Sequence, residues 1–221
     1  MNVAAIMPCR GRNQQTTANV RRLLATAEYG DWRLVCVTDG DDAAAEAIAH
    51  EQIVSEIAVH LIPIKSRVGY WGALREASIH QRHRDITHFV NLANDLIPGR
   101  HWLARGVAAY RARFGDGDGL MGFNDGLHGP EHSSHFLISR GLLERYGGWP
   151  VWYSHNFGDT ELCRRAQRDG CYGKAPWAVL FHDHVENGAS DDSVYQEGRA
   201  SYARDARLFE ERRRAGWPIV R

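Results

Sequence analysis

Short apolar runs alternate with amphipathic stretches through the first hundred residues. Val3-Ala4-Ala5-Ile6-Met7 is uninterrupted and closes on Pro8; a run this short suits a strand buried on both faces. Thr17 to Ala27 follows with Val20, Leu23, Leu24 and Ala27 at helical spacing. Leu34-Val35-Cys36-Val37 reads as a second strand, Ala43 to Ser55 as a second helix, and Val59-His60-Leu61-Ile62-Pro63 as a third strand. Gly69 to His80 reads as a loop opening a helix, and residues 87–93 as the next strand. Strand and helix in alternation predict a parallel sheet with helices on both faces.

The pattern loosens after residue 100. Trp102 to Arg113 predicts a helix, and Gly115 to Gly119 a turn. Leu120 to Phe123 and His135 to Ile138 predict strands, and Gly141 to Tyr146 a short helix. Gly147-Gly148-Trp149-Pro150 breaks the chain. A helix is expected from about Asp159 to Gly170, a strand over Ala178 to Phe181, and an Arg-rich helix from Tyr195 to Arg214. No linker divides the 221 residues, so one domain is expected.

Charge changes the picture by exclusion. Lys and Arg number 27, as do Asp and Glu, so the net charge is zero and no overall nucleic-acid or membrane footprint exists. No apolar run approaches about 18 residues, and no segment reads as a signal peptide, so no membrane span and a cytoplasmic location are expected. Cys9, Cys36, Cys163 and Cys171 lack CxxC spacing and are expected as free thiols.

Candidate chemistry collects where apolar runs end. Phe89-Val90-Asn91-Leu92 runs into Asn94-Asp95, ahead of Pro98 and Trp102. A strand that stops on a carboxylate places it at the mouth of a parallel sheet, where ligands of open α/β folds collect. There Asp95 can bind a hard divalent ion that also grips phosphate oxygens. Asn94 suits an αL turn. Asp159 can be a helix N-cap or a general base; Glu161, two residues on, points elsewhere on the helix. His182 and His184 end an apolar strand and share a face if the strand continues; either can complete the metal shell. Asp39 and Asp41 follow strand two and suit ribose or base hydroxyls, or a turn and helix start. Arg10 and Arg12 suit a diphosphate. The Gly69–Arg75 loop, with Trp71 and Arg75, can bring backbone close to a ligand. Trp149, Trp152 and Tyr153 can stack on sugar faces or anchor a core.

In their order these segments resemble glycosyltransferases of the GT-A fold, particularly the family 2-like group. AAIMPCRGRN resembles that group's opening strand and loop, LVCVTDGDD its acidic nucleotide-binding end, and VNLANDLIPGRHWL its DxD segment. HNFGDTELCRRAQRDG resembles its glutamate–aspartate segment, and VLFHDH its terminal strand ending in histidine. The likeness covers roughly Val3 to His184. Two departures stand out. The DxD triplet reads Ala93-Asn94-Asp95, so only its last acid survives, and the acidic pair reads Gly158-Asp159.

The resemblance implies an α/β, GT-A (Rossmann-like) domain with a mostly parallel central sheet flanked by helices. Residues 1–100 would form its nucleotide-binding half, 101–190 its acceptor and catalytic half, and 191–221 a C-terminal helix. It implies transfer of a sugar from a nucleotide diphosphate sugar, a UDP-sugar first among them, to a carbohydrate or other hydroxyl acceptor. Pro8, Arg10, Arg12, Asp39, Asp41, Trp71, Arg75 and Asn94 would hold the donor. Asp95, His182 and His184 would hold Mn²⁺ or Mg²⁺. Asp159 would be the base of an inverting displacement, with Trp149, Trp152, His155 and Glu161 on the acceptor. Three other readings stay open: a nucleotidyltransferase, a non-catalytic binding relative, and the same transfer to a nucleobase hydroxyl of DNA, with the Arg-rich helix tracking phosphates.

Overall fold

The computed structural model describes residues 1–81, 85–183 and 192–219. Its strands are β1 (Val3–Cys9), β2 (Trp32–Asp39), β3 (Val59–Ile64), β4 (His88–Asn91), β5 (Leu96–Pro98), β6 (Leu120–Asn124), β7 (Phe136–Ser139) and β8 (Tyr172–His182). Its helices are α1 (Asn13–Thr26), α2 (Asp42–Val54), α3 (Gly69–His80), α4 (Trp102–Phe114), α5 (Arg140–Arg145), α6 (Gly158–Arg168) and α7 (Ser193–Arg214). The strands form one eight-stranded, mostly parallel sheet in the order β3-β2-β1-β4-β7-β6-β8-β5. β1 to β4 run parallel; β7 reverses against both β4 and β6, and β8 returns parallel to β6.

The alternation of β1 shows why the sheet is central. Val3, Ala5, Met7 and Cys9 pack on one face with Val20, Leu23, Trp102 and Leu103, while Ala4 and Ile6 pack on the other with Trp71, Leu74 and Trp149. All six β1 residues are shut off from water, which is why the run is apolar throughout rather than alternating. Both faces carry helices: α1 and α4 contribute to the first cluster, α3, α5 and α6 to the second.

Three departures from the expected elements have local causes. β5, only three residues long, was not anticipated; Leu96 pairs with His182 and Pro98 with Leu180, so a segment of the first hundred residues closes the far edge against β8. Tertiary pairing alone makes those residues a strand. β8 begins six residues before Ala178, because Tyr172 to Ala175 pair with β6 before an irregularity at Phe123/Asn124; Pro176 hides this continuity in the sequence. Gly69 is already helical, so the expected Gly69–Arg75 loop is the opening of α3.

Candidate active site

The carboxyl ends of β1, β2, β4 and β8 and the starts of α3, α6 and α7 surround one cavity of about 350 Å³. Parallel strands deliver their ends to one edge, so residues distant in sequence meet there. Pro8, Arg10, Arg12, Asp39, Trp71, Asn94, Asp95, His155, Asp159 and His182 all line it.

Asp95 sits deepest. Its Oδ2 accepts from Arg12 Nη1 at 2.6 Å and from the Tyr195 hydroxyl at 2.7 Å, and its Oδ1 faces His182 Nε2 at 3.3 Å. Burial alone would push this carboxyl up, but His182, Arg12 and Tyr195 outweigh it and hold the group well below the usual carboxylate range. Arg12 reaches across because it sits in the left-handed region at φ 51°, directly before α1.

Asp159 lies in the first turn of α6. Its Oδ1 accepts from the Thr160 N–H at 2.8 Å, and its Oδ2 lies 3.4 Å from His132 Nε2. It is not the N-cap: Phe157 is, held at φ 68° with no side-chain cap bond. Burial raises the Asp159 carboxyl, but His132 and the Thr160 amide outweigh this and lower it, so it is ionised at neutral pH. Asp159 keeps 21% of its side chain exposed where Asp95 keeps 4%, so Asp159 is the carboxylate open to an incoming group.

Several expected ligands do other work. Asp41 caps α2 through the Ala44 N–H and accepts from the Gly11 N–H at 2.7 Å, outside the main cavity. Arg75 is exposed on α3 and lines no part of the cavity. Asn94 has no left-handed backbone; its Nδ2 donates to the Arg10 carbonyl and Thr16 Oγ1, tying two loops together at the cavity wall. Asp39 reaches the cavity, but its carboxylate accepts from the Val68 and Gly69 N–H groups at the start of α3.

The expected acceptor residues divide similarly. Trp149 is core, packed among Trp71, Phe89 and Phe136. Trp152 lies under the Arg212 guanidinium, 3.9 Å from it, and Glu161 is fully buried against Arg212, Arg165 and Tyr153. None of the three lines the cavity. An apolar pattern cannot distinguish a stacking platform from a core anchor, which is why these positions misled. Of this set only His155 reaches the cavity. His184 lies outside the described residues.

A histidine-rich wall, not expected from the sequence, completes the cavity. His128, His132 and His135, between β6 and β7, all line the cavity. His128 Nδ1 lies 2.9 Å from Asp125 Oδ2, and Asp125, fully buried, also accepts from the Leu127, His128 and Ser134 N–H groups. The signal was local: three histidines within eight residues of GLHGPEHSSH.

A metal can be tested against these donors. Asp95 Oδ1 is buried without a well-formed hydrogen bond and faces an imidazole nitrogen. One carboxylate oxygen and one imidazole fit a Mn²⁺ or Mg²⁺ that takes its remaining ligands from phosphate oxygens and water. Among the described residues no group of three or more His, Cys, Asp or Glu is placed to hold a metal unaided.

Comparison with known proteins places the fold. No family model and no curated protein matches the chain. Among solved structures, the mannosyltransferase PcManGT from Pyrobaculum calidifontis, in complex with GDP-Man and Mn²⁺, superposes with a TM-score of 0.69 at 18% identity, covering 93% of this chain. S. aureus TarS 1-349 in complex with UDP-GlcNAc gives 0.65 at 10% identity, covering 87%. The fold is that of the GT-A glycosyltransferases. This chain covers 61% and 60% of those two chains, respectively. Of the GT-A segments expected from sequence, those ending in Asp95, Asp159 and His182 all meet in the cavity. Among the described residues no helix is long and apolar enough to cross a membrane.

Proposed function

We propose that this chain transfers a sugar from a nucleotide diphosphate sugar to an acceptor hydroxyl. The observation that carries the reading is the division of labour between two carboxylates in one cavity. Asp95 is enclosed by Arg12, Tyr195 and His182, whereas Asp159 is ionised and partly open. The GT-A fold and neighbours solved with GDP-Man and Mn²⁺ and with UDP-GlcNAc support it.

The roles follow from position. Arg10 and Arg12 bind the diphosphate, with Pro8 and Trp71 shaping the wall around it. Asp95 and His182 would hold a divalent cation, which when bound would supply positive charge against the leaving diphosphate. Asp159 takes the proton of the acceptor hydroxyl as that oxygen attacks the anomeric carbon from the face opposite the diphosphate, inverting the centre. Residues 1–100 and β8 supply the donor side, and 125–160 the acceptor side. His155 and the histidines at 128 and 132 stand on that acceptor side. Of the α7 arginines, Arg212 is buried on Glu161 and is not placed to track DNA phosphates.

Calorimetric titration with GDP-Man, UDP-GlcNAc and UDP, with and without Mn²⁺, tests the reading. Metal-enhanced binding of one nucleotide, followed by its release from the sugar donor, is the expected result. Folded protein that binds none of them overturns it.

A further inference from the structure

The arginines on the cavity wall are not open. Arg10 Nη2 lies 3.2 Å from Glu197 Oε1, and Arg67 pairs with Oε2 of the same carboxylate. Arg12 makes a two-point contact with Asp192, Nη2 to Oδ1 at 2.8 Å and Nε to Oδ2. The Arg12 guanidinium also lies 4.3 Å over the Tyr195 ring, whose hydroxyl donates to Asp95. Asp192, Tyr195 and Glu197 all belong to the N-terminal end of α7. Arg10, Arg12, Arg67, Asp95, Tyr195 and Glu197 line the cavity together.

We propose that these three arginines form a diphosphate site which the chain fills with its own carboxylates, and that the first turn of α7 leaves when the ligand enters. The inference rests on the donor reading above. Guanidinium forks match phosphate and carboxylate alike, so one can replace the other without leaving an unpaired cation. The bonds exchanged are ionic and hydrogen bonds only: phosphate oxygens accept from Arg10, Arg12 and Arg67, while Asp192, Glu197 and the Tyr195 hydroxyl, which gives up its bonds to Asp95 and the Asp183 carbonyl, pass to water. Removal is cheap at Glu197, because that carboxylate and its partners Arg10 and Arg67 are each about a third exposed or more, and exposed ion pairs hold weakly; Arg12 is buried, so its contact with Asp192 gives way only as phosphate oxygens take the place of the carboxylate.

The rest of α7 is fastened differently. Buried Asp205 accepts from the Ser154, His155 and Asn156 N–H groups, and Arg212 is locked on Glu161. Asn156 Nδ2 donates to the Gly198 carbonyl. The firm anchorage therefore begins at Gly198, and a glycine inside a helix is where its first turn separates at least cost. The helix is built to stay attached from 198 onward while 192–197 exchange.

Calorimetry of Asp192→Asn/Glu197→Gln with inorganic pyrophosphate, GDP and UDP tests this. Glu210→Gln is the control, because it removes an exposed carboxylate from the same helix far along its length. The double variant should bind pyrophosphate and the nucleotide about tenfold tighter than wild type, since a self-filled site lowers apparent affinity by the fraction open. The control should not. Amides of 193–197 in wild type should exchange faster with deuterium when ligand saturates the protein. Tighter pyrophosphate binding with no nucleotide bound by either protein keeps this site and removes the donor reading. Equal affinity in variant and wild type, or no pyrophosphate binding by the variant, overturns the inference.

Discussion

Glu161 and Arg212 meet through two contacts of 2.8 Å that join α6 to the end of α7, with both side chains almost wholly shielded from water. Arg165, Tyr153 and Trp152 complete the shell of the carboxylate. Glu161 was expected on the acceptor and instead holds the scaffold. Removing one partner of such a pair strands a buried charge. Arg212→Ala should lower the unfolding free energy by about 3–5 kcal/mol, read from urea denaturation. A loss below about 1 kcal/mol would show that Arg165 and Tyr153 satisfy Glu161 alone.

Asp159→Asn should fold and bind the donor as wild type does, yet lose transfer by about 10²–10⁴-fold, the usual contribution of a general base. The amide keeps the shape and can still meet the Thr160 N–H and His132 but cannot take a proton. Because His132 and the Thr160 amide hold the Asp159 carboxyl below its ordinary value, the wild-type rate should keep its Asp159-dependent part through neutral and mildly acidic pH and lose it only below the usual carboxylate range. Turnover by the Asn variant at the wild-type rate would remove Asp159 from the chemistry.

Donor-side legibility differed from acceptor-side legibility for a physical reason. Arg10, Arg12, Asp95 and His182 were readable because a parallel sheet sends the ends of apolar strands to one edge, so adjacency to a strand end predicts the site. Trp149 and Glu161 were misread because aromatic and acidic residues serve cores and clefts alike, and only packing decides. The α7 carboxylates were invisible for another reason: Asp192 and Glu197 meet Arg12 and Arg10 across separations of about 180 residues, and nothing local in the sequence announces it. Arg75 failed because helix α3 starts at Gly69, turning a supposed loop residue outward.

Asp95→Asn should abolish the gain in nucleotide affinity that Mn²⁺ brings, while leaving metal-free binding near wild type. His182→Ala should do the same. The amide is a poorer ligand for a hard cation than a carboxylate oxygen, and each variant leaves one protein ligand. Calorimetry with and without EDTA reads the difference. A full Mn²⁺ increment in both variants would place the cation elsewhere.

His88 supplies a pH dependence of stability independent of the site. Burial pushes its imidazole down to about 4, below the ~6.5 of an unfolded chain. The unfolded state therefore binds a proton across pH 6.5 to 4 that the native state does not. The stabilisation is complete above pH 6.5 and is lost as pH falls through that window, by at most about 3 kcal/mol at 1.36 kcal/mol per unit. Urea midpoints measured from pH 7 to 4 should fall more steeply for wild type than for His88→Gln. Parallel curves would mean that His88 titrates normally.

Gly158 links the core to the placement of Asp159. It follows Phe157, whose left-handed backbone at φ 68° is unusual for a bulky side chain, so the turn is held by its surroundings. A Cβ on Gly158 would come within 2.7 Å of Pro150 Cγ and closer still to the Trp71 indole. Trp71 cannot retreat, because it is buried and its Nε1–H donates to the His155 carbonyl at 3.0 Å. Gly158→Ala must therefore shift the start of α6, and with it the carboxylate one residue on. We expect a loss of about 1–3 kcal/mol from overpacking, and a fall in turnover larger than the fall in donor affinity, because Asp159 is the next residue on the displaced helix whereas, of the donor residues, only Trp71 touches Gly158. Thermal unfolding and steady-state rates, measured on the same preparation, separate the two effects. A variant with the wild-type melting temperature and rate would show that the turn yields without moving Asp159.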